Sequence, residues 1–194
     1  MTNYSKYRET KETKIKVEID DEKDFNTSYI STGIGFFDHM LTLFSFHSEI
    51  YVNIEADGDL YIDGHHTVED IGIVLGQLIQ EMYSEKQSYT RYGSMYLPMD
   101  ESLARVVLDL SGRPHLSYNA DISKEKVGGF DTELTEEFFN AVAMNARMTL
   151  HIDLLKTGNA HHEIEAIFKG FSRSLKAALQ PTEHGVPSSK GVIE

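Results

Sequence analysis

A chain of 194 residues, 40% hydrophobic and 25% charged, has the length and balance of one folded domain or two small ones, not of a disordered protein. Its net charge of −13 argues against nucleic acid or an anionic membrane as partner, although a few cations gathered at one place can still hold an anionic substrate. Without cysteine there are no disulfides, thiolate nucleophiles, iron–sulfur clusters or sulfur-ligated zinc, and without a long apolar run or an apolar leader a cytoplasmic protein is expected.

Lys14 to Asp20 alternates apolar and polar residues, which predicts a half-buried strand. A short strand is expected near Tyr29 to Thr32, before Gly33-Ile34-Gly35 breaks the pattern. From Phe36 to His47, the residues Phe37, Met40, Leu41, Leu43 and Phe44 recur at helical spacing. Ile50 to Ile54 reads as a strand, Asp57-Gly58-Asp59 as a turn, and Thr67 to Tyr83 as a long amphipathic helix. Ala104 to Leu110 is a strand, Ser111-Gly112-Arg113-Pro114 a turn, and His115 to Ile122 alternates again. Leu134 to Asn145 reads as a helix, Met148 to Leu154 as a strand, and His162 to Leu179 as a helix. Gln180 to Glu194 has two of the four prolines and no periodicity, so a loop or arm is expected.

The chain also repeats itself. At an offset of 98 residues Ile50, Val52 and Ile54 fall on Met148, Leu150 and Ile152. At an offset of 96, His65-His66-x-x-Glu69 falls on His161-His162-x-x-Glu165, and Ile71 and Ile79 fall on Ile167 and Leu175. The two-residue difference lies in the linker between strand and helix. The expected fold class is therefore α+β, a tandem duplication of a four-stranded sheet with two helices. The repeats span residues 1–92 and 93–180 of one compact unit, and 181–194 form a C-terminal arm. Whether the halves meet through helices or through sheets stays open.

On a helix, residues three and four apart share a face. His65 and Glu69 can thus hold one ion, while His66, about 100° around the helix, points to another. One such motif is no more than a polar helix start favoured by the dipole. Two copies in the same slot point to divalent metal. Imidazole with carboxylate and no sulfur suits Mn, Fe, Co, Ni or Zn, whereas Ca²⁺ and Mg²⁺ do not call for so many histidines. The repeat pairs His39 with Glu137, a second potential ligand pair. His115, His151 and His184 are read as structural, and His47 and His151 have only asparagine as repeat mates.

Several stretches carry a family resemblance: Gly35-Phe36-Phe37-Asp38-His39-Met40-Leu41, Asp63-Gly64-His65-His66-Thr67-Val68-Glu69-Asp70, Leu110-Ser111-Gly112-Arg113-Pro114, His161-His162-Glu163-Ile164-Glu165-Ala166-x-Phe168-Lys169 and Pro187-Ser188-Ser189-Lys190-Gly191. Over nearly the whole chain they resemble imidazoleglycerol-phosphate dehydratase, a hydro-lyase of histidine biosynthesis. The resemblance is to the monofunctional form, for which no added phosphatase domain is expected. The resemblance implies halves like domain 2 of ribosomal protein S5. It also implies two Mn²⁺ ions per active site, with Fe, Co or Zn as alternatives, and a 24-subunit homo-oligomer with metals at subunit contacts. It assigns His39, His65, Glu69 and His162 to one ion; the repeat then gives Glu137, His161, Glu165 and His66 to the other. At the position of Glu137 many relatives carry His, so this carboxylate is a departure.

By the same resemblance Glu12, His47, Arg91, Arg113, Lys169 and the arm Ser188, Ser189 and Lys190 bind a small phosphorylated imidazole substrate. Arginine offers a fork and lysine a point charge to phosphate. Dehydration to imidazole acetol phosphate is expected to pass through a metal-bound imidazolate and a diazafulvene-like intermediate. The candidate bases for the carbon-bound proton are Glu12, Glu69 and Glu165, and Asp100 orients a base or water. A di-iron helix bundle also pairs Glu and His at this spacing, but the strand alternation argues against it. A two-metal phosphohydrolase would release phosphate, where a dehydratase keeps it on carbon.

Overall fold

The computed structural model describes residues 3–183 and 185–188. Alternation from Thr13 to Asp20 places Ile15, Val17 and Ile19 on one fully buried face of a strand, while Lys14 and Lys16 face out. This strand, β2 (Thr13–Asp20), is the centre of a sheet with β1 (Tyr4–Glu9), β3 (Tyr29–Ser31) and β4 (Tyr51–Gly58). The order is β1-β2-β4-β3, with the β3–β4 pair parallel and the others antiparallel. Helix α1 (Gly35–Ser48) links β3 to β4, and α2 (His65–Ser84) follows β4. Asp38 in the first turn of α1 accepts both the N–H and the hydroxyl of Thr32, which fixes where the chain enters the helix.

The second half repeats this. Strands β5 (Tyr92–Met99), β6 (Ser102–Asp109), β7 (His115–Asn119) and β10 (Thr149–Lys156) form a sheet of order β5-β6-β10-β7, again with one parallel pair. Helices α3 (Leu134–Asn145) and α4 (Ala160–Leu179) take the places of α1 and α2. Between β7 and α3 the second half adds a two-stranded hairpin, β8 (Lys126–Val127) with β9 (Phe130–Asp131). Even the backbone turns match: Glu49 after α1 and Arg147 after α3, one repeat apart, both have positive φ, 58° and 51°.

The halves meet through their helices, which resolves the alternative left open by sequence. Helix α1 packs on α4, and α2 on α3. The two contacts differ in spacing. On α2, Gly72 and Gly76 let α3 come so close that an added Cβ would meet Ala141 at 2.8 Å or the Val142 carbonyl at 2.7 Å. The repeat mates of these glycines on α4 are Phe168 and Ser172. Accordingly the α1–α4 side is filled with rings: Phe37, Phe44, Phe168 and Phe171 are all essentially buried. Each sheet turns its other face outward.

Candidate active site

Both His-His-x-x-Glu motifs begin a helix, as their spacing required. In α4 the start is set by Asn159, whose side chain accepts the His161 N–H at 2.9 Å. One turn on, Glu165 is 8% exposed at its side chain. It accepts from His161 Nε2 at 3.0 Å and from Lys169, and lies 3.6 Å from His39 Nε2. His39, His161 and Glu165 bring three ligand atoms within 4.8 Å of one another. Burial works to raise the Glu165 carboxyl, but the Lys169 ammonium and His161 outweigh it and hold the group below the usual carboxylate range. His47, one helical stretch along α1, is pushed down by burial and by the nearby charges of Lys169 and Arg173. Phosphate-sized anions would therefore find cations beside the metal-type donors.

Within one chain His39 sits with His161 and Glu165, while His65 and Glu69 lie on another helix. The reason is topological: α1 packs on α4 rather than on α2. The repeat mates of this trio are Glu137, His65 and Glu69, carried by the adjoining helices α3 and α2. Among the described residues those three do not close into a group of the same kind within one chain. Glu137 is half-buried in the first turn of α3, and Glu136 beside it is exposed.

The second histidine of each motif has other neighbours. His162 lies 3.2 Å from both oxygens of Glu101 and 3.9 Å from Asp100, so Asp100, Glu101 and His162 form a second three-donor group. Glu101 also accepts the N–H of Asn159 at 2.6 Å, and these bonds hold its carboxyl down at about 2. His66 Nδ1 is 2.9 Å from Asp59, and this hydrogen bond, helped by the charges of Asp59, Glu12 and Asp63, raises its pKa against the opposing effect of burial. Exposed Glu12 is thus brought to the His66 corner. Sequence reading missed Asp59, Glu101 and Arg173. Asp59 and Glu101 lie in linkers without periodicity; Arg173 had one usable signal, its position four residues after Lys169 on the same helix.

Of the expected anion-binding residues, Arg113 is exposed at the turn after β6. Arg91 is buried, with Nε 2.7 Å and Nη2 3.1 Å from the two oxygens of Asp109, and Nη1 donates to the Pro187 carbonyl at 2.6 Å. It therefore ties down the root of the arm. Ser188 is half-buried; Ser189, Lys190 and His184 lie outside the described residues. The His115 and His151 rings lie 5.7 Å apart and tilted on the outer face of the second sheet, away from these groups.

The chain is thus a duplicated α+β protein that sets His–carboxylate groups at its helix starts. The chain belongs to the imidazoleglycerol-phosphate dehydratase family, whose sequence profile matches residues 32–175. It is 64% identical over 193 residues to the imidazoleglycerol-phosphate dehydratase of Staphylococcus carnosus, covering 99% of this chain and all of that one. The enzyme of Staphylococcus aureus N315 is 62% identical over 98% of this chain and 99% of its own length. The crystal structure of the Staphylococcus aureus N315 enzyme superposes with a TM-score of 0.86 at 58% identity, over 93% of this chain and 100% of that chain. The Pyrococcus furiosus enzyme superposes with a TM-score of 0.84 at 40% identity, over 96% and 99%. Among the described residues no helix is long and apolar enough to cross a membrane.

Proposed function

We propose that this chain removes water from imidazoleglycerol phosphate to give imidazole acetol phosphate, a step of histidine biosynthesis carried out in the cytoplasm. The observation that carries the reading is the meeting of His39, His161 and Glu165 beside Lys169 in a member of this family. The donor set fits a divalent cation: neutral imidazoles and an ionised carboxylate, with no sulfur. Two Mn²⁺ ions are the proposed occupants, with Fe, Co or Zn serving the same donors. His39, His65, Glu69 and His162 hold one; their repeat mates Glu137, His161, Glu165 and His66 hold the other, each set drawn from neighbouring copies in a 24-subunit assembly. When bound, such ions supply Lewis acidity that favours the anionic form of the substrate's imidazole ring.

The chain's own groups do the rest. Lys169, Arg113 and the arm residues Ser188, Ser189 and Lys190 hold the phosphate, with Arg91 anchoring the arm. One C–O and one C–H bond break: the hydroxyl leaves as water, and a carboxylate takes the carbon-bound proton. Glu12 is the proposed base, since it is exposed and near His66. Glu69 and Glu165 are the alternatives, and Asp100 orients the base or a water. The enol so formed becomes the ketone. An assay of imidazole acetol phosphate formation by metal-free protein, then with Mn²⁺ restored, tests the whole reading. Activity returns with the metal; phosphate release instead of ketone would replace dehydration by hydrolysis.

Lys190→Ala is expected to raise KM and lower kcat with the fold intact, because binding energy from the distant phosphate is used at the reacting carbons. Unchanged kinetics would remove the arm from the site. Glu137→Ala is expected to lose one of two tightly held ions and most activity, while Glu136→Ala keeps both. Metal counting by native mass spectrometry decides it, and two ions in Glu137→Ala would exclude ligation.

A further inference from the structure

A histidine that ligates through one ring nitrogen donates from the other, and the group accepting that proton fixes tautomer and ring orientation. His66 and His162 are repeat mates in the first turns of α2 and α4. In both, Nδ1 lies against a carboxylate from outside the helix: Asp59 at 2.9 Å and Glu101 at 3.2 Å. The duplication did not supply these carboxylates. At the motif's offset of 96, Asp59 falls on Leu155 and Glu101 on Ser5. One comes from the linker after β4, the other from the turn between β5 and β6. Two halves of the chain have reached the same contact by separate routes, which marks the contact as one that the histidines need.

The surroundings favour it on each side. Gly158 leaves the room that Glu101 occupies; a Cβ there would run into the Glu101 side chain. Gly58 likewise lets the chain pass Thr67, next to His66, on its way to Asp59. Asp59 is 8% exposed, and its second oxygen is buried without a hydrogen-bond partner among the described residues. Its hydrogen bond to the His66 ring is therefore what balances a buried carboxylate.

We infer that Asp59 and Glu101 are positioning residues: each accepts the Nδ1 proton of its histidine, so that His66 and His162 offer a bare Nε2 to a divalent cation. This rests on the two-ion reading above. The test is Mn²⁺ affinity of the full-length protein, read from the free-ion electron paramagnetic resonance signal during titration. The variants are Glu101→Ala, Glu101→Gln, His162→Ala and the double variant of Glu101→Ala with His162→Ala. Losing such an outer partner costs about 10–100-fold in metal affinity. Glu101→Ala is expected to weaken one binding step by that factor, and to add nothing in the absence of His162. Glu101→Gln keeps an acceptor for His162 and for the Asn159 N–H, so it holds α4 in place and falls between wild type and Glu101→Ala. Asp59→Ala with His66→Ala follows the same pattern. Additive losses in the double variants, or unchanged affinity in Glu101→Ala and Asp59→Ala while the histidine variants lose theirs, would overturn the positioning role and leave the ions in place. Unchanged affinity in the histidine variants would overturn both.

Discussion

Glu165→Gln is expected to leave a folded protein whose dehydration rate has fallen on the order of 10²–10⁴-fold, the range seen when a positioned acid or base is lost. The carboxylate faces His161, His39 and Lys169 at once from a nearly buried position. An amide has the same shape but no charge. It leaves the Lys169 ammonium unpaired beside the two imidazoles and is a poor ligand for a divalent ion. Circular dichroism, kcat and metal content measured together give the answer; a variant within about tenfold of wild type would remove Glu165 from the site. The contact also has a pH signature. Because the folded-state carboxyl is held below its ordinary value of 4.5, its stabilising contribution is complete above that pH. It is lost as the pH falls through the lowered folded value.

Phe168→Ala should have the largest effect on stability, about 3–5 kcal/mol. The ring is fully buried, stacks on Phe138 at 5.3 Å, meets Phe139 at 4.9 Å and approaches Phe37 at 6.5 Å. Three helices therefore border the cavity its removal would leave. Against a total stability of about 5–15 kcal/mol this loss is severe, and for a chain of this length it lowers Tm by about 6–20 °C. Activity should fall with it, since Phe168 lies on the helix that carries His161, His162, Glu165 and Lys169. Phe168→Leu should cost less. A Phe168→Ala variant melting within about 2 °C of wild type would show that the neighbouring rings close the gap.

The two-fold repeat, the four helices and five of the strands were legible because each shows a period of 2 or 3.6 residues, and short β3 was placed by the glycines that follow it. The strands without such a signal, β1 and β5, are repeat mates. Both are edge strands, paired on one side only. In β1 Tyr4 is the one buried residue; β5 carries Gly93, where the Ser174 backbone of α4 passes too close for any Cβ, and Pro98. The hairpin of β8 and β9 is too short to show a period. Strand β4 runs on through Gly58, where a turn was expected, because it pairs with β2 as far as Thr13. At the site, the ligand types and their helical spacing could be read directly. Which histidine meets which carboxylate could not, because that depends on α1 crossing to α4. Asp59 and Glu101 were hidden for a related reason: each meets its histidine only once the linkers are folded.

The two helix contacts are of one kind. Each joins the first helix of one half to the second helix of the other, as α1 to α4 and α3 to α2. That is the pattern of an isologous dimer, in which one surface serves both sides of a two-fold axis. A half-length ancestor could have buried its helices by pairing with a second copy of itself, and every substitution would then have appeared in both contacts. Joining the copies in one chain removed that constraint. Gly72 and Gly76 could bring α2 against α3 while Phe168 and Ser172 set a different spacing at α4. Likewise a histidine at 39 could face the start of α4 while its mate at 137 became a glutamate.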